Sequence, residues 1–113
     1  MITKVAKKWG HELIWAHTEN YVGKILFIEK GKRLSRQFHE VKDETIYVLD
    51  GILTLEIGPD ANEISYLGPG QAFHVEPGVI HRFCAETTDV RLAEVSTPEL
   101  DDVVRLEDDW GRM

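Results

Sequence analysis

The sequence predicts an all-β fold, a sandwich or barrel. Short runs of β-branched and aromatic residues recur at about 8–12-residue spacing, turn signals separate them, and no amphipathic helical period is present. Gly23 to Glu29 reads GKILFIE, a strand with Lys24, Leu26 and Ile28 on one face and Ile25 and Phe27 on the other. Gly31 ends it. Thr45 to Leu49 reads TIYVL, and Asp50-Gly51 predicts a hairpin turn into ILTLEI at 52–57. Gly58-Pro59-Asp60-Ala61-Asn62 turns the chain again, and a brief strand at 63–67 leads to Gly68-Pro69-Gly70. QAFHVE at 71–76 is the next strand; Pro77-Gly78 separates it from IHRFCAE at 80–86, which Thr87-Thr88-Asp89 breaks. VRLAEVS at 90–96 is again extended, with Glu94 in phase with Leu92 and Ser96.

Composition bounds the function. The 113 residues are expected to form a single domain over 1–113, large enough to bury one core. A hydrophobic content of 42% and a charged content of 29% are those of an ordinary globule. The net charge of -7 argues against nucleic acid or an anionic membrane as partner. No apolar run is long enough to span a bilayer, and MITKVAKKWG lacks a signal-peptide core. One cysteine forms no internal disulfide, so a reducing cytoplasm is expected; Cys84, out of phase with His81 and Phe83, reads as a packing residue. Lysines 4, 7 and 8 near the start and six acidic residues between Glu99 and Asp109 read as two solvated ends.

The segment QFHEVKDE carries the chemistry. Gln37 and His39 are two apart, so on a strand they project to the same side. Glu40-Val41-Lys42-Asp43 serves as a turn that brings Glu44 back beside them, on a return strand with Ile46 and Val48 on the same face. His81 follows Pro77-Gly78. Two imidazoles, one carboxylate and one amide oxygen suit one divalent ion, zinc, manganese, iron(II) or nickel, and no thiolate takes part.

GKRLSRQFHEVKDETIYVLDG at 31–51 resembles the first motif of the cupin superfamily, and GQAFHVEPGVIHRF at 70–83 resembles the second, with Gly70, Gly78 and His81 in register. Gln37 in place of the usual first histidine is similar to the type II mannose-6-phosphate isomerase branch, as are KWGHELIW at 8–15 and EVSTPELDDVVRLEDDWGR at 94–112. The resemblance covers nearly the whole chain. It implies a double-stranded β-helix, the cupin jelly-roll barrel, with Gln37, His39, Glu44 and His81 around a metal inside it.

The resemblance further implies an aldose–ketose isomerase-like enzyme acting on a small molecule, a sugar or sugar phosphate. In such a reaction a metal polarises the carbonyl and a base carries a proton between carbons. Lys24, Glu94 and His74 are the candidates for that base. Arg105 is the expected cationic clamp for a phosphate, with Arg36 and Arg82 out of phase with the ligands and given a surface role. Trp9, Trp15 and Trp110 lie near the termini, where they stack on a sugar, cover the barrel mouth or seal apolar ends; Trp9 is the substrate-side candidate. Two other readings stay open: a non-catalytic metal- or carbohydrate-binding cupin, and an iron-dependent dioxygenase using His39, His81 and Glu44 with Gln37 unbound. Ile25, Phe27, Tyr47 and Leu49, opposite the ligands, suggest a homodimer.

Overall fold

Alternation of apolar and polar residues builds the architecture, which a computed structural model describes for residues 2–110. The strands are β1 (Thr3–Lys7), β2 (Gly10–His17), β3 (Val22–Ile28), β4 (Arg36–Phe38), β5 (Glu44–Asp50), β6 (Leu53–Ile57), β7 (Glu63–Leu67), β8 (Ala72–Val75), β9 (His81–Cys84), β10 (Val90–Ser96) and β11 (Val104–Glu107). Among the described residues no helix is long and apolar enough to cross a membrane. A six-stranded sheet in the order β1-β2-β3-β10-β5-β8 faces a five-stranded sheet in the order β11-β4-β9-β6-β7. Leu26, Ile28, Ile46, Val48 and Leu92 of the first sheet meet Leu53, Leu55 and Phe83 of the second in the buried core. Each such side chain contributes roughly 1.5–3 kcal/mol by leaving water. This is a double-stranded β-helix.

The turns explain how the two sheets are stitched. Gly58 to Asn62 joins β6 to β7 within one sheet. Asp50-Gly51, Gly68-Pro69-Gly70 and Pro77-Gly78 instead carry the chain from one sheet to the other. The hairpin expected at Asp50-Gly51 is therefore a corner: β5 pairs with β10 and β8, while β6 pairs with β7 and β9. Gly51 makes the corner possible, because its φ is +84° and an added Cβ would stand 2.0 Å from the Asp89 carbonyl oxygen.

Three strands were not foreseen. β1 and β2 form a hairpin around Lys8-Trp9, with Lys7 opposite Gly10. Trp9, only 3% exposed, tucks from that turn into the core. The acidic C-terminal stretch forms β11 against β4 because the outer face of the second sheet is basic. Arg36 and Arg82 do point outward, but they are not surface residues. Arg82 is fully buried: its Nε donates to the Leu34 carbonyl at 2.8 Å, and its other nitrogens reach Glu107 at 3.2 Å and Asp109 at 3.1 Å. Arg36 bridges Glu56 at 2.9 Å and Glu107 at 3.0 Å, and Arg33 holds Asp109 at 2.7 Å. Two of the C-terminal acids, Glu107 and Asp109, are thus paired with sheet arginines. Gly111 and Arg112 of the closing motif lie outside the described residues.

On the outer face of the six-stranded sheet, Ile25, Phe27, Tyr47 and Leu49 lie opposite the interior, as their parity required. Exposed Trp15 and Val95 join them, and the Trp15 ring lies directly over Gly23. Gly51→Ala is expected to lower stability by about 1–3 kcal/mol, since it places a Cβ in a left-handed conformation against a backbone oxygen; a thermal melt against wild type checks this.

Candidate metal centre

Donors from both sheets converge inside the barrel. Gln37 on β4 is the register partner of His81 on β9, and His39 follows directly after β4. Glu44 opens β5 in the opposite sheet, with its side chain turned inward in phase with Ile46 and Val48. His39, Glu44 and His81 are all buried, and one ligand atom of each lies within 4.8 Å of the others. The two imidazole centroids are 5.2 Å apart.

The tautomers are set by the backbone. His39 Nδ1 lies 2.6 Å from the Asp102 carbonyl oxygen and His81 Nδ1 lies 2.9 Å from that of Val79, so each Nδ1–H donates outward. The proton on Nδ1 leaves a lone pair on each Nε2. Both Nε2 atoms are buried and make no hydrogen bond, and that of His39 stands 2.6 Å from Glu44 Oε1. Two orphaned imidazole nitrogens beside a buried carboxylate fit a divalent ion. His39, Glu44 and His81 form the compact set of imidazole and carboxylate donors, and Gln37 lines the same cavity with its Oε1 accepting one hydrogen bond from Ser35 Oγ at 2.6 Å, which leaves that oxygen a second lone pair.

Asp102 locks the loop between the first ligands. Besides its carbonyl's bond to His39, its carboxylate accepts from the backbone N–H of Lys42 at 2.8 Å, Val41 at 2.7 Å and Glu40 at 3.0 Å. These three donors hold the Asp102 carboxyl down at about 2. The turn glycine Gly78 also donates to the His39 carbonyl at 2.7 Å, tying the approach to His81 to the first motif.

The cavity beside the ligands is about 370 Å³. Trp9, Leu26, Leu34 and Phe83 give it apolar walls, and Lys24, Glu94, Lys42 and Glu12 give it charge. Lys24 and Glu94 are register partners on β3 and β10, both turned inward. Lys42 Nζ lies 3.3 Å from Glu94 and 3.9 Å from Glu44. Burial works to raise the Glu44 carboxyl, but its polar neighbours, the Lys42 charge among them, outweigh it and hold Glu44 down to about 2. Burial, then the neighbouring Glu44 charge, push the Glu94 carboxyl upward. Burial opposes the Lys42 charge, yet Glu94 and Glu44 keep it raised. Two adjacent carboxyls thus have opposite protonation preferences.

Of the residues singled out from sequence, Trp9, Lys24, Gln37, His39, Glu44, Glu94 and Arg105 line the cavity, and His81 completes the triad. Arg105 sits on β11 directly beside Gln37, and its buried Nε has no hydrogen-bond partner. His74 does not join them. Val75 pairs with Glu44 and points inward, so His74, opposite Thr45, points out, where it meets Asp43 at 2.6 Å. Glu12, Ser35 and Lys42 were missed. Strand parity with Ile14 would have placed Glu12 once β2 was recognised, whereas Lys42 sits in a turn where parity says nothing.

A zinc or manganese titration should give one site, abolished by His39→Ala or His81→Ala. Asp102→Ala keeps the main-chain acceptor of the His39 ring but loses the carboxylate that ties down the loop between His39 and Glu44, and should weaken the site about tenfold. Burial holds His81 below 6.5, so its neutral, binding form persists to lower pH than that of a free histidine. Protonation of His81 should therefore weaken metal binding only at a pH lower than that at which a free histidine protonates, which competition with a chromophoric chelator measures.

Solved structures share this architecture. KdgF from Halomonas sp. aligns with a TM-score of 0.76 at 23% identity, over 89% of this chain and 88% of its own. The polyketide cyclase RemF from Streptomyces resistomycificus aligns at 0.79 and 21% identity, over 93% and 80%. The capsular polysaccharide assembling protein CapF from Staphylococcus aureus aligns at 0.79 and 16% identity, over 95% of this chain but 34% of CapF. At these identities the likeness is one of fold. No curated protein matches the sequence. Residues 24–96 match the cupin domain family, a span that runs from Lys24 on β3 to the end of β10 and includes all three converging donors, so the chain belongs to that family.

Proposed function

We propose that this cupin is a metal-dependent enzyme that moves a proton within a small hydroxylated carbonyl compound, in the manner of an aldose–ketose isomerase acting on a sugar or sugar phosphate. The observation that carries this reading is Glu94, a buried carboxyl biased toward its protonated form and held by Lys42 beside the converging donors His39, Glu44 and His81. A bound divalent ion would supply Lewis-acid polarisation of the carbonyl. Glu94 takes the proton from the neighbouring carbon and returns it to the other; a carboxyl raised toward neutrality is suited to both halves of that exchange. Lys42, 3.3 Å from Glu94, steadies its ionised form. Lys24 faces the same space, Arg105 offers its unpartnered guanidinium nitrogen to an anionic group, and Trp9 with Leu26 and Phe83 keeps bulk water out.

A second reading has its own support. The compact set of two imidazoles and one carboxylate suits iron(II) oxygen chemistry. Oxygen consumption by the iron-loaded protein with a substrate panel would select it. The proposal includes a homodimer through the outer face of the six-stranded sheet, supported by exposed Trp15, Tyr47 and Val95; sedimentation should give twice the monomer mass, and Val95→Lys should halve it.

The isomerase reading is tested by deuterium exchange at the carbon next to the carbonyl, across a sugar and sugar-phosphate panel with metal restored. Glu94→Gln should reduce exchange about 10²–10⁴-fold without removing the metal. Because the basic form of Glu94 starts the reaction and its carboxyl is raised, activity should fall with decreasing pH already above the ordinary glutamate value of about 4.3, and the variant should lose that limb.

A further inference from the structure

Ion pairs outside the barrel are shorter than the lysine–glutamate pairs in the cavity. Outside, Lys32 meets Glu29 at 2.6 Å, Arg33 meets Asp109 at 2.7 Å and Arg91 meets Asp50 at 2.8 Å, and the Arg36 and Arg82 pairs run from 2.9 to 3.2 Å. Inside, Lys7 and Glu12 are 4.0 Å apart, Lys24 and Glu12 3.4 Å, Lys42 and Glu94 3.3 Å, and Lys42 and Glu44 3.9 Å. Charge-assisted hydrogen bonds close to about 2.7–2.9 Å when nothing else competes for the groups. The cavity charges meet only in long hydrogen bonds, Lys24 to Glu12 and Lys42 to Glu94. Lys24 and Glu12 are nonetheless shielded, with side chains 9% and 12% exposed, so bulk water does not satisfy them either. An ammonium has three donors and a carboxylate about four acceptor sites. Most of that capacity faces the cavity, and loosely paired buried charges are costly unless something answers them.

The order of the charges narrows what the answer is. Glu12 on β2, Lys24 on β3, Glu94 on β10 and Glu44 on β5 lie on successive strands of the six-stranded sheet in a diagonal row: Lys24 and Glu94 are directly opposite, Glu12 stands opposite Leu26 and Glu44 opposite Ser96, each two residues along. Lys7 stands beyond Glu12, and Lys42 lies between Glu94 and Glu44. Donor and acceptor therefore alternate from the far wall to the triad. An anion would satisfy Lys24 but be repelled by Glu12, and an amine the reverse. A hydroxyl accepts from an ammonium and donates to a carboxylate through the same oxygen.

We propose that Glu12 and Lys24, with Lys7 behind them, form a hydroxyl-reading station, and that the ligand is a polyhydroxylated chain laid along this strip with one end at the triad. This deepens the substrate class of the proposed function and rests on that reading for its orientation. Glu12 and Lys24 are specificity residues here: each hydroxyl they bind is one that a deoxy analogue leaves unanswered.

The test uses gluconate and hexanoate, carboxylates of equal chain length with and without hydroxyls, titrated calorimetrically into the zinc-loaded protein. Gluconate should bind at least about tenfold more tightly, and Glu12→Gln and Lys24→Met should each remove most of that preference while zinc affinity stays unchanged. Glu12→Gln is nearly isosteric and guards against a folding defect. Equal binding of the two acids by wild type overturns the proposal, as does a preference that survives both substitutions, which is the result if the hydroxyls meet only the ion. Loss of the isomerase reading shows separately, as absent deuterium exchange with the gluconate preference intact.

Discussion

Two backbone carbonyls, those of Asp102 and Val79, decide what the barrel can hold. Each accepts the Nδ1 proton of a buried histidine, and each thereby turns an Nε2 lone pair toward the same small volume. Without those bonds the rings could present either nitrogen or rotate away. With them, a carboxylate from the opposite sheet meets two imidazoles already in their ligating form. The Asp102 carboxylate repeats the logic on the loop, gathering three backbone N–H groups between His39 and Glu44. Positioning thus comes from main chain, which is less free to move than side chains.

The same molecule treats charge in two ways. On the outer face of the second sheet, arginines and C-terminal carboxylates pair closely, and even fully buried Arg82 has its nitrogens engaged. Those contacts hold β11 in place, and β11 carries Arg105 to the cavity wall. Inside, the lysine–glutamate pairs are longer, 3.3 to 4.0 Å. The outer network holds the second sheet together, and the inner one lines the cavity.

Much of this was legible in the residues. Parity alone put Lys24, Glu44 and Glu94 on inward faces, and the run at 90–96 matches β10 to the residue. The donor spacing and His81 after Pro77-Gly78 identified the three residues that converge. What escaped did so for reasons of tertiary context. Asp50-Gly51 has the chemistry of a hairpin, but only packing against Asp89 makes it a corner. The stretch at 104–107, VRLE, alternates, but over only four residues inside an acidic segment, and it becomes a strand because β4 and the arginines of the second sheet receive it. Glu12 went unseen because the N-terminal hairpin lacks a strong turn signal, and outward-facing Arg82 was assigned to solvent because parity gives direction but not what lies above.

The sheet-crossing turns carry one more implication. His39 and His81 sit in one sheet, Glu44 in the other, and the Asp102 that orients His39 comes from near the end of the chain. No short segment contains the site, so a partly folded intermediate offers at most isolated donors. Pairings so distant in sequence form late and slowly. A cation taken up by these donors would therefore enter late, as a latch on a finished barrel rather than as a nucleus around which it condenses.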